Sequence, residues 1–171
     1  MIRTVSINFR PDDDSCAVHL RHLVDYLEKA GVRVLLPRYD IIRGEECYRL
    51  AVDEEQFVND PDLIIVIGGD GTFLRTARLF CGSGKPIFGI NRGRLGFLTE
   101  FSPEEYPRFL EKVLGGDYAT TERLVLEATH FRDGIVQSTV NFLNDAVIHK
   151  GSFARPIRLD MEVDGNFLSS F

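Results

Sequence analysis

The chain has 171 residues, enough for one ordinary domain or one and a half small ones. Hydrophobic residues make up 44%, too many for a disordered chain, and a net charge of −6 argues against a broad basic surface for nucleic acid. The longest purely apolar run (63–67) is too short to cross a bilayer, the N-terminus lacks a signal-peptide core, and three scattered cysteines (Cys16, Cys47, Cys81) fit neither a disulfide framework nor a cysteine zinc site. A cytoplasmic protein without a membrane or nucleic-acid partner is expected.

In chain order, TVSINF (4–9) alternates and predicts a strand. Cys16, Leu20, Leu23, Val24 and Leu27 then recur at helical spacing, with Asp12 to Asp14 suited to the positive helix end and Gly31 as a stop. Residues 32–36 predict a second strand, closed by Pro37. Residues 38–61 are charged and weakly periodic, and a mobile connection with one short helix is expected there. LIIVI (63–67) is continuous and β-branched, the pattern of a strand covered on both faces of a parallel sheet. A helix over 72–81 with Phe73, Ala77, Phe80 and Cys81 on one side follows, and then a strand at 86–90. This order favours an α/β parallel sheet.

Residues 102–116 predict another helix, with Ser102 as cap, Pro103 in the first turn and Glu105 completing a capping box. Tyr106, Leu110, Val113 and Leu114 form its buried stripe, and Pro107 falls within its first turns. Beyond Gly116 the pattern becomes antiparallel β, with hairpin signals at 132–134 and at Asp164-Gly165. Three parts are therefore expected: an α/β domain over 1–101, a connecting helix over 102–116, and a β-rich part over 117–171.

The stretch GGDGTFL (68–74) carries the chemistry. A strand that enters a glycine-rich turn and then a helix offers free N–H groups at a positive helix end, a natural phosphate site. Gly68, Gly69 and Gly71 permit a sharp turn and a close ligand approach. A carboxylate beside phosphate is repulsive unless a divalent cation bridges the two or it accepts a proton from an attacking hydroxyl, and both roles of Asp70 belong to phosphoryl transfer. Arg75 in the first helical turn is placed to meet a phosphate. The alternative is a plain tight turn with Asp70 as a helix cap.

GGDGTFL (68–74), GINRGRLGFL (89–98) and LNDAVIHKG (143–151) together resemble, in order and spacing, the three motifs of NAD kinases. The resemblance implies a Rossmann-like parallel-sheet domain followed by the start of a β-rich, sandwich-like domain, incomplete in this chain. The implied activity is transfer of a phosphoryl group from ATP or polyphosphate to the 2′-hydroxyl of the adenosine ribose of NAD, with Mg²⁺ as the divalent cation. It also implies that Asp70 is the catalytic residue and that Gly69, Gly71 and Thr72 lie against substrate phosphates. Asn91 and Phe97 correspond to positions beside the dinucleotide. Asn144 and Asp145 match a pair that holds ribose hydroxyls, where many relatives have Glu in place of Asp145. Arg155 matches a further contributor to the substrate site, with a surface arginine as the alternative. No metal-ligand set is assigned.

Taken without the motifs, Phe97 reads as ordinary core packing, Arg92 and Arg94 as solvated loop charges, and His19, His22, His130 and His149 as structural or surface residues. The resemblance implies a longer chain that assembles as a dimer or tetramer, with little activity expected of these residues alone. Two rival readings are a lipid kinase of the diacylglycerol or sphingosine type, which shares the Gly-Gly-Asp-Gly turn, and a non-catalytic nucleotide-binding module. No basic amphipathic stretch supports the former.

Overall fold

The structure, a computed structural model, describes residues 2–10, 16–92, 96–148 and 157–171. The acidic segment expected to start the first helix, Asp12 to Asp14, lies outside them. Five parallel strands form the sheet: β1 (Thr4–Phe9), β2 (Arg33–Pro37), β3 (Ala51–Val52), β4 (Leu63–Ile67) and β5 (Ile87–Ile90), in the order β3-β2-β1-β4-β5. β1 is the hinge of this order, since the chain builds outward from it first towards β3 and then, through β4, towards β5. β1 pairs with β4 from Val5↔Leu63 to Phe9↔Ile67, so both strands end level with each other. The crevice at the carboxyl ends of two such strands is the usual ligand position in an open α/β sheet.

Both faces of the sheet are covered, which explains why every residue of β4 is buried. On one face Val5, Ile7, Phe9, Leu63, Ile65 and Ile67 pack with helix α1 (Cys16–Lys29) and helix α4 (Tyr106–Gly115). On the other, Leu35, Ile64 and Val66 pack with α2 (Glu54–Asn59) and α3 (Asp70–Leu79) through Phe57, Phe73 and Phe80. The stripe predicted for the first helix is buried in full, and Gly31 stops it in a left-handed conformation at φ 74°.

Residues 38–61 hold the one short helix expected there but otherwise differ from the expected mobile connection. They contain two 3₁₀ turns (Asp40–Ile42 and Glu46–Leu50), the edge strand β3 and the helix α2. Long-range contacts supply what local periodicity lacks. Ile42 and Cys47 enter the core, Arg49 grips both carboxylate oxygens of Glu28 on α1 at 2.8 and 2.7 Å, and Ser6 Oγ donates to Phe57 O at 2.6 Å. Asp53 caps α2 by accepting from the Gln56 N–H at 2.9 Å.

The other two helices start at different residues from those expected. α3 begins at Asp70 rather than 72 and ends at Leu79, with Gly69 at its N-cap. α4 begins at Tyr106, with Pro107 in its first turn; residues 103–105 form the turn before it, so Ser102 and Pro103 lie outside the helix. The Ser102 N–H still donates to the Glu105 carboxylate at 3.4 Å, a remnant of the expected box. Beyond α4 lie two antiparallel hairpins, β6 (Leu126–Arg132) with β7 (Ile135–Phe142), and β8 (Asp160–Val163) with β9 (Asn166–Ser170). Each turns at the predicted Asp-Gly pair with both residues at positive φ: 52° and 75° at Asp133-Gly134, 51° and 75° at Asp164-Gly165. Among the described residues no helix is long and apolar enough to cross a membrane.

Candidate functional site

The site grows from the carboxyl end of β4. The Gly68 N–H donates to Ile90 O at 2.9 Å, keeping the chain on the sheet one residue beyond the strand. A Cβ on Gly68 would come within 2.5 Å of Thr72 Oγ1, so packing excludes a side chain there. The Gly69 carbonyl accepts from the Thr72 and Phe73 N–H groups at 3.0 and 3.1 Å and so opens α3. Gly69 has no side chain to cap the helix, and the N–H groups of a first turn have no partner within their helix. At Gly69 and Gly71 an added Cβ would meet nothing within 4 Å. The fold alone therefore gives no reason for glycine at these two positions, in contrast to Gly68.

Asp70, the first residue of α3, turns its carboxylate onto the chain that follows β5. Oδ2 accepts from the Phe97 N–H at 2.9 Å. Oδ1 accepts from the Leu98 N–H at 3.1 Å, the Thr99 N–H at 3.3 Å and the Thr99 hydroxyl at 3.4 Å. Burial alone would push the carboxyl up, but these donors together outweigh it and hold the group below the ordinary carboxylate range. Asp70 is thus not the simple helix cap of the alternative reading; its partners lie outside its own helix.

Two glycines make this seat possible. A Cβ on Gly96 would run into the Asp70 carboxylate, and one on Gly89 would lie 3.0 Å from Thr99 Cα and 3.2 Å from Leu98 O. Beyond the seat, residues 99–101 run beside β5. The Asn91 N–H donates to Phe101 O at 2.7 Å, and the Phe101 ring stacks on Phe88 at 4.5 Å and meets Phe109 of α4 at 4.7 Å. Asn91 itself is buried.

Phe97 is 93% exposed although its own N–H holds Asp70, so the core-packing reading fails. Its ring is an exposed aromatic face on the residue whose N–H holds the carboxylate. Arg75 is exposed, with its guanidinium 5.9 Å from the centre of the Tyr39 ring. Asn144, in a left-handed conformation at φ 90°, and Asp145 follow β7 and are exposed. Among the described residues no hydrogen bond or ion pair ties that pair to the Asp70 seat. Arg155, Gly93, Arg94 and His149 lie outside the described residues. Arg92 is not a solvated loop charge, since it is half-buried and its Nη1 donates to Cys16 Sγ at 2.8 Å. His22 and His130 are exposed, and no group of three or more His, Cys, Asp or Glu among the described residues could hold a metal ion.

Sequence reasoning did not find Asn8, Tyr39 or Thr99. Asn8 sits buried at the end of β1, accepts from the Tyr39 hydroxyl at 3.1 Å and donates to Thr76 Oγ1 at 2.8 Å. Thr76 in turn donates to Thr72 O at 2.8 Å, so a chain of hydrogen bonds runs from β1 to the glycine-rich turn. Burial pushes the Tyr39 hydroxyl up from its ordinary value against the opposing pull of Arg75. The one available signal was the alternation in β1, where Thr4, Ser6 and Asn8 share one face and Val5, Ile7 and Phe9 the other.

Residues 5–118 match the family described as the ATP-NAD kinase N-terminal domain. The chain is 38% identical over 165 residues to the NAD kinase of Teredinibacter turnerae, covering 96% of this chain and 56% of that protein. It is 35% identical over 170 residues to the NAD kinase of Geobacter metallireducens, covering 99% and 59%. Among solved structures, yeast NADH kinase complexed with NADH superposes with a TM-score of 0.84 at 23% identity over 99% of this chain and 55% of that one. An NAD kinase from Archaeoglobus fulgidus in complex with ATP gives 0.63 at 24% identity over 98% and 56%. The chain spans a little more than half the length of these relatives.

Proposed function

The chain belongs to the NAD kinase family, and from that premise we propose that the whole protein transfers the terminal phosphoryl group of ATP to the 2′-hydroxyl of the adenosine ribose of NAD, giving NADP. The observation that carries this reading is the placement of Asp70: an ionised carboxylate at the mouth of a glycine-rich helix start, beside two glycines that the fold does not require. Open backbone at Gly69 and Gly71 and the positive end of α3 suit phosphate groups, with Thr72 next in line.

A ribose hydroxyl is a poor nucleophile at neutral pH. Asp70 would accept a hydrogen bond from it, align its oxygen, and take its proton as the new bond to phosphorus forms. A carboxylate held below its ordinary range is a weak base, so most of its contribution is orientation of the hydroxyl, as expected where positioning dominates phosphoryl transfer. The exposed Phe97 ring gives a stacking face for a base of the dinucleotide. Asn144 and Asp145 together can donate to and accept from a ribose diol, Asn91 supports the loop from below, and Arg75 and Arg155 supply charge for phosphate.

A divalent cation would neutralise the donor phosphates. Among the described residues no group of three or more His, Cys, Asp or Glu could hold it, and it would arrive bound to ATP. Division into an α/β unit over 1–101, a connecting helix over 102–116 and a β-rich unit over 117–171 fits this reading, as do a cytoplasmic location and a homo-oligomeric state.

The test is to incubate the whole protein with NAD, ATP and Mg²⁺ and identify the product by mass and by its phosphorus NMR signal. A 2′-phosphorylated dinucleotide is expected. Consumption of ATP only when diacylglycerol or sphingosine is added would favour the lipid-kinase reading instead. Binding of NAD with no transfer would favour a nucleotide-binding module.

A further inference from the structure

We propose that the segment from Gly96 to Thr99 gives the two Asp70 oxygens different tasks: Oδ1 fixes the carboxylate, Oδ2 receives the substrate hydroxyl, and Gly96 and Thr99 are positioning residues. This rests on the functional reading above.

The asymmetry is in the donors. Three of them, the Leu98 N–H, the Thr99 N–H and the Thr99 hydroxyl, converge on Oδ1, whereas Oδ2 accepts only from the Phe97 N–H among the described residues. A carboxylate oxygen has about two lone-pair directions. Oδ1 is therefore saturated, and Oδ2 keeps one direction for a further donor. Thr99 is fully buried, so its hydroxyl has no water to turn to and stays committed to Oδ1.

The cradle cannot easily drift. Gly89 brings the Thr99 backbone against β5 with no room to spare, and the Asn91 N–H to Phe101 O bond and the stacked Phe88 and Phe101 rings hold the far side. Gly96 is the residue whose lack of a side chain lets the carboxylate enter. In the reaction, the ribose oxygen forms its bond to the terminal phosphorus. The bond from that phosphorus to the bridging oxygen breaks with its electron pair going to ADP. The hydroxyl proton passes to Oδ2. With Oδ1 already saturated, the carboxylate cannot rotate to present the other oxygen without losing three donors.

The experiment compares wild type with Thr99→Val, Thr99→Ser and Gly96→Ala in two ways. The first is carbon-detected NMR titration of the Asp70 carboxyl without substrate. The second is kcat and KM for NAD across pH. Thr99→Val is expected to raise the Asp70 midpoint towards the ordinary carboxylate value, move the acid limb of kcat upward with it, and lower kcat about 10-fold with KM for NAD changed less than about 2-fold. Thr99→Ser, which keeps the hydroxyl, is expected to recover both midpoint and rate. Gly96→Ala is expected to lose about 100-fold in kcat with the dinucleotide still bound.

A Thr99→Val protein with the wild-type midpoint and rate would overturn the proposal, as would Thr99→Ser failing like Val. Should the Val variant not fold, the Ser variant decides, since a Ser protein that loses the low midpoint contradicts the hydroxyl's role. If wild type makes no NADP, the role of Oδ2 falls with the functional reading, while the titration still decides the cradle on its own.

Discussion

Asp70 and Phe97 lie 27 positions apart and are joined by a hydrogen bond of 2.9 Å from the Phe97 N–H to Asp70 Oδ2. The bond ties the helix that follows β4 to the loop that follows β5, so two motifs that are separate in the sequence become one site. It also leaves the Phe97 ring outside, where a ligand can meet it.

This bond and its neighbours make stability depend on pH. Asp70 is held low by the donors of 97–99 in spite of burial, and Asp62 is held low by the Arg3 and Thr4 N–H groups at 2.8 and 3.0 Å. Both folded-state values lie below the unfolded ones. Their contribution is thus full above the ordinary carboxylate range of about 4 and is lost as pH falls through the folded values. Urea midpoints measured from pH 6 down to pH 2 are expected to drop below about pH 4. Asp62→Asn is expected to flatten that drop, and an unchanged slope in this variant would remove Asp62 from the account.

The glycines of the turn separate into two kinds. Gly68→Ala is expected to cost about 1–3 kcal/mol, because the new methyl group runs into Thr72. Gly69→Ala has open space and no positive φ, so its stability is expected to stay within about 0.5 kcal/mol. Its activity should nevertheless fall if phosphate approaches the backbone there. Denaturation and turnover measured on the same two variants check both halves; a destabilised Gly69→Ala would mean the fold, not a ligand, requires that glycine.

Asn8 supports the turn from beneath. Asn8→Ala removes the donor to buried Thr76 Oγ1 and the acceptor for the Tyr39 hydroxyl, and is expected to cost about 1–3 kcal/mol. Because Thr76 bonds onward to Thr72, a double-mutant cycle of Asn8→Ala with Thr76→Val should show coupling of about 0.5 kcal/mol or more. Strictly additive losses would show that the chain of bonds does not act as a unit.

Where one sequence period persists over many residues, the elements could be read directly. α1 shows its whole buried stripe, and β4, covered on both faces, has no polar residue to mislead. Helix starts were harder. Gly-Gly-Asp-Gly has poor helix propensity, yet α3 opens within it at Asp70, because its first turn needs only N–H groups and a carbonyl at Gly69. Residues 38–61 looked irregular because their order comes from Glu28, Ser6 and the core, all distant in sequence. Asp70 could be picked out from its chemistry, as a carboxylate in a phosphate-type turn. Three of its four partners could not be, since backbone N–H groups leave no trace in residue type, and the fourth, the Thr99 hydroxyl, has no local pattern that points to it. From residue type alone the exposure of Phe97 is equally hidden, because an aromatic residue in a Gly-Phe-Leu-Thr stretch looks like core; only the motif resemblance points to a ligand there.

The most direct measurement is single-turnover formation of NADP by the whole protein and by Asp70→Asn, with NAD binding measured on the same samples. Asp70→Asn is expected to bind NAD within a few-fold of wild type but to form NADP about 100- to 10,000-fold more slowly. An Asp70→Asn protein that forms NADP at the wild-type rate would contradict this, because the carboxylate seated on residues 97–99 would then not be the group that receives the hydroxyl.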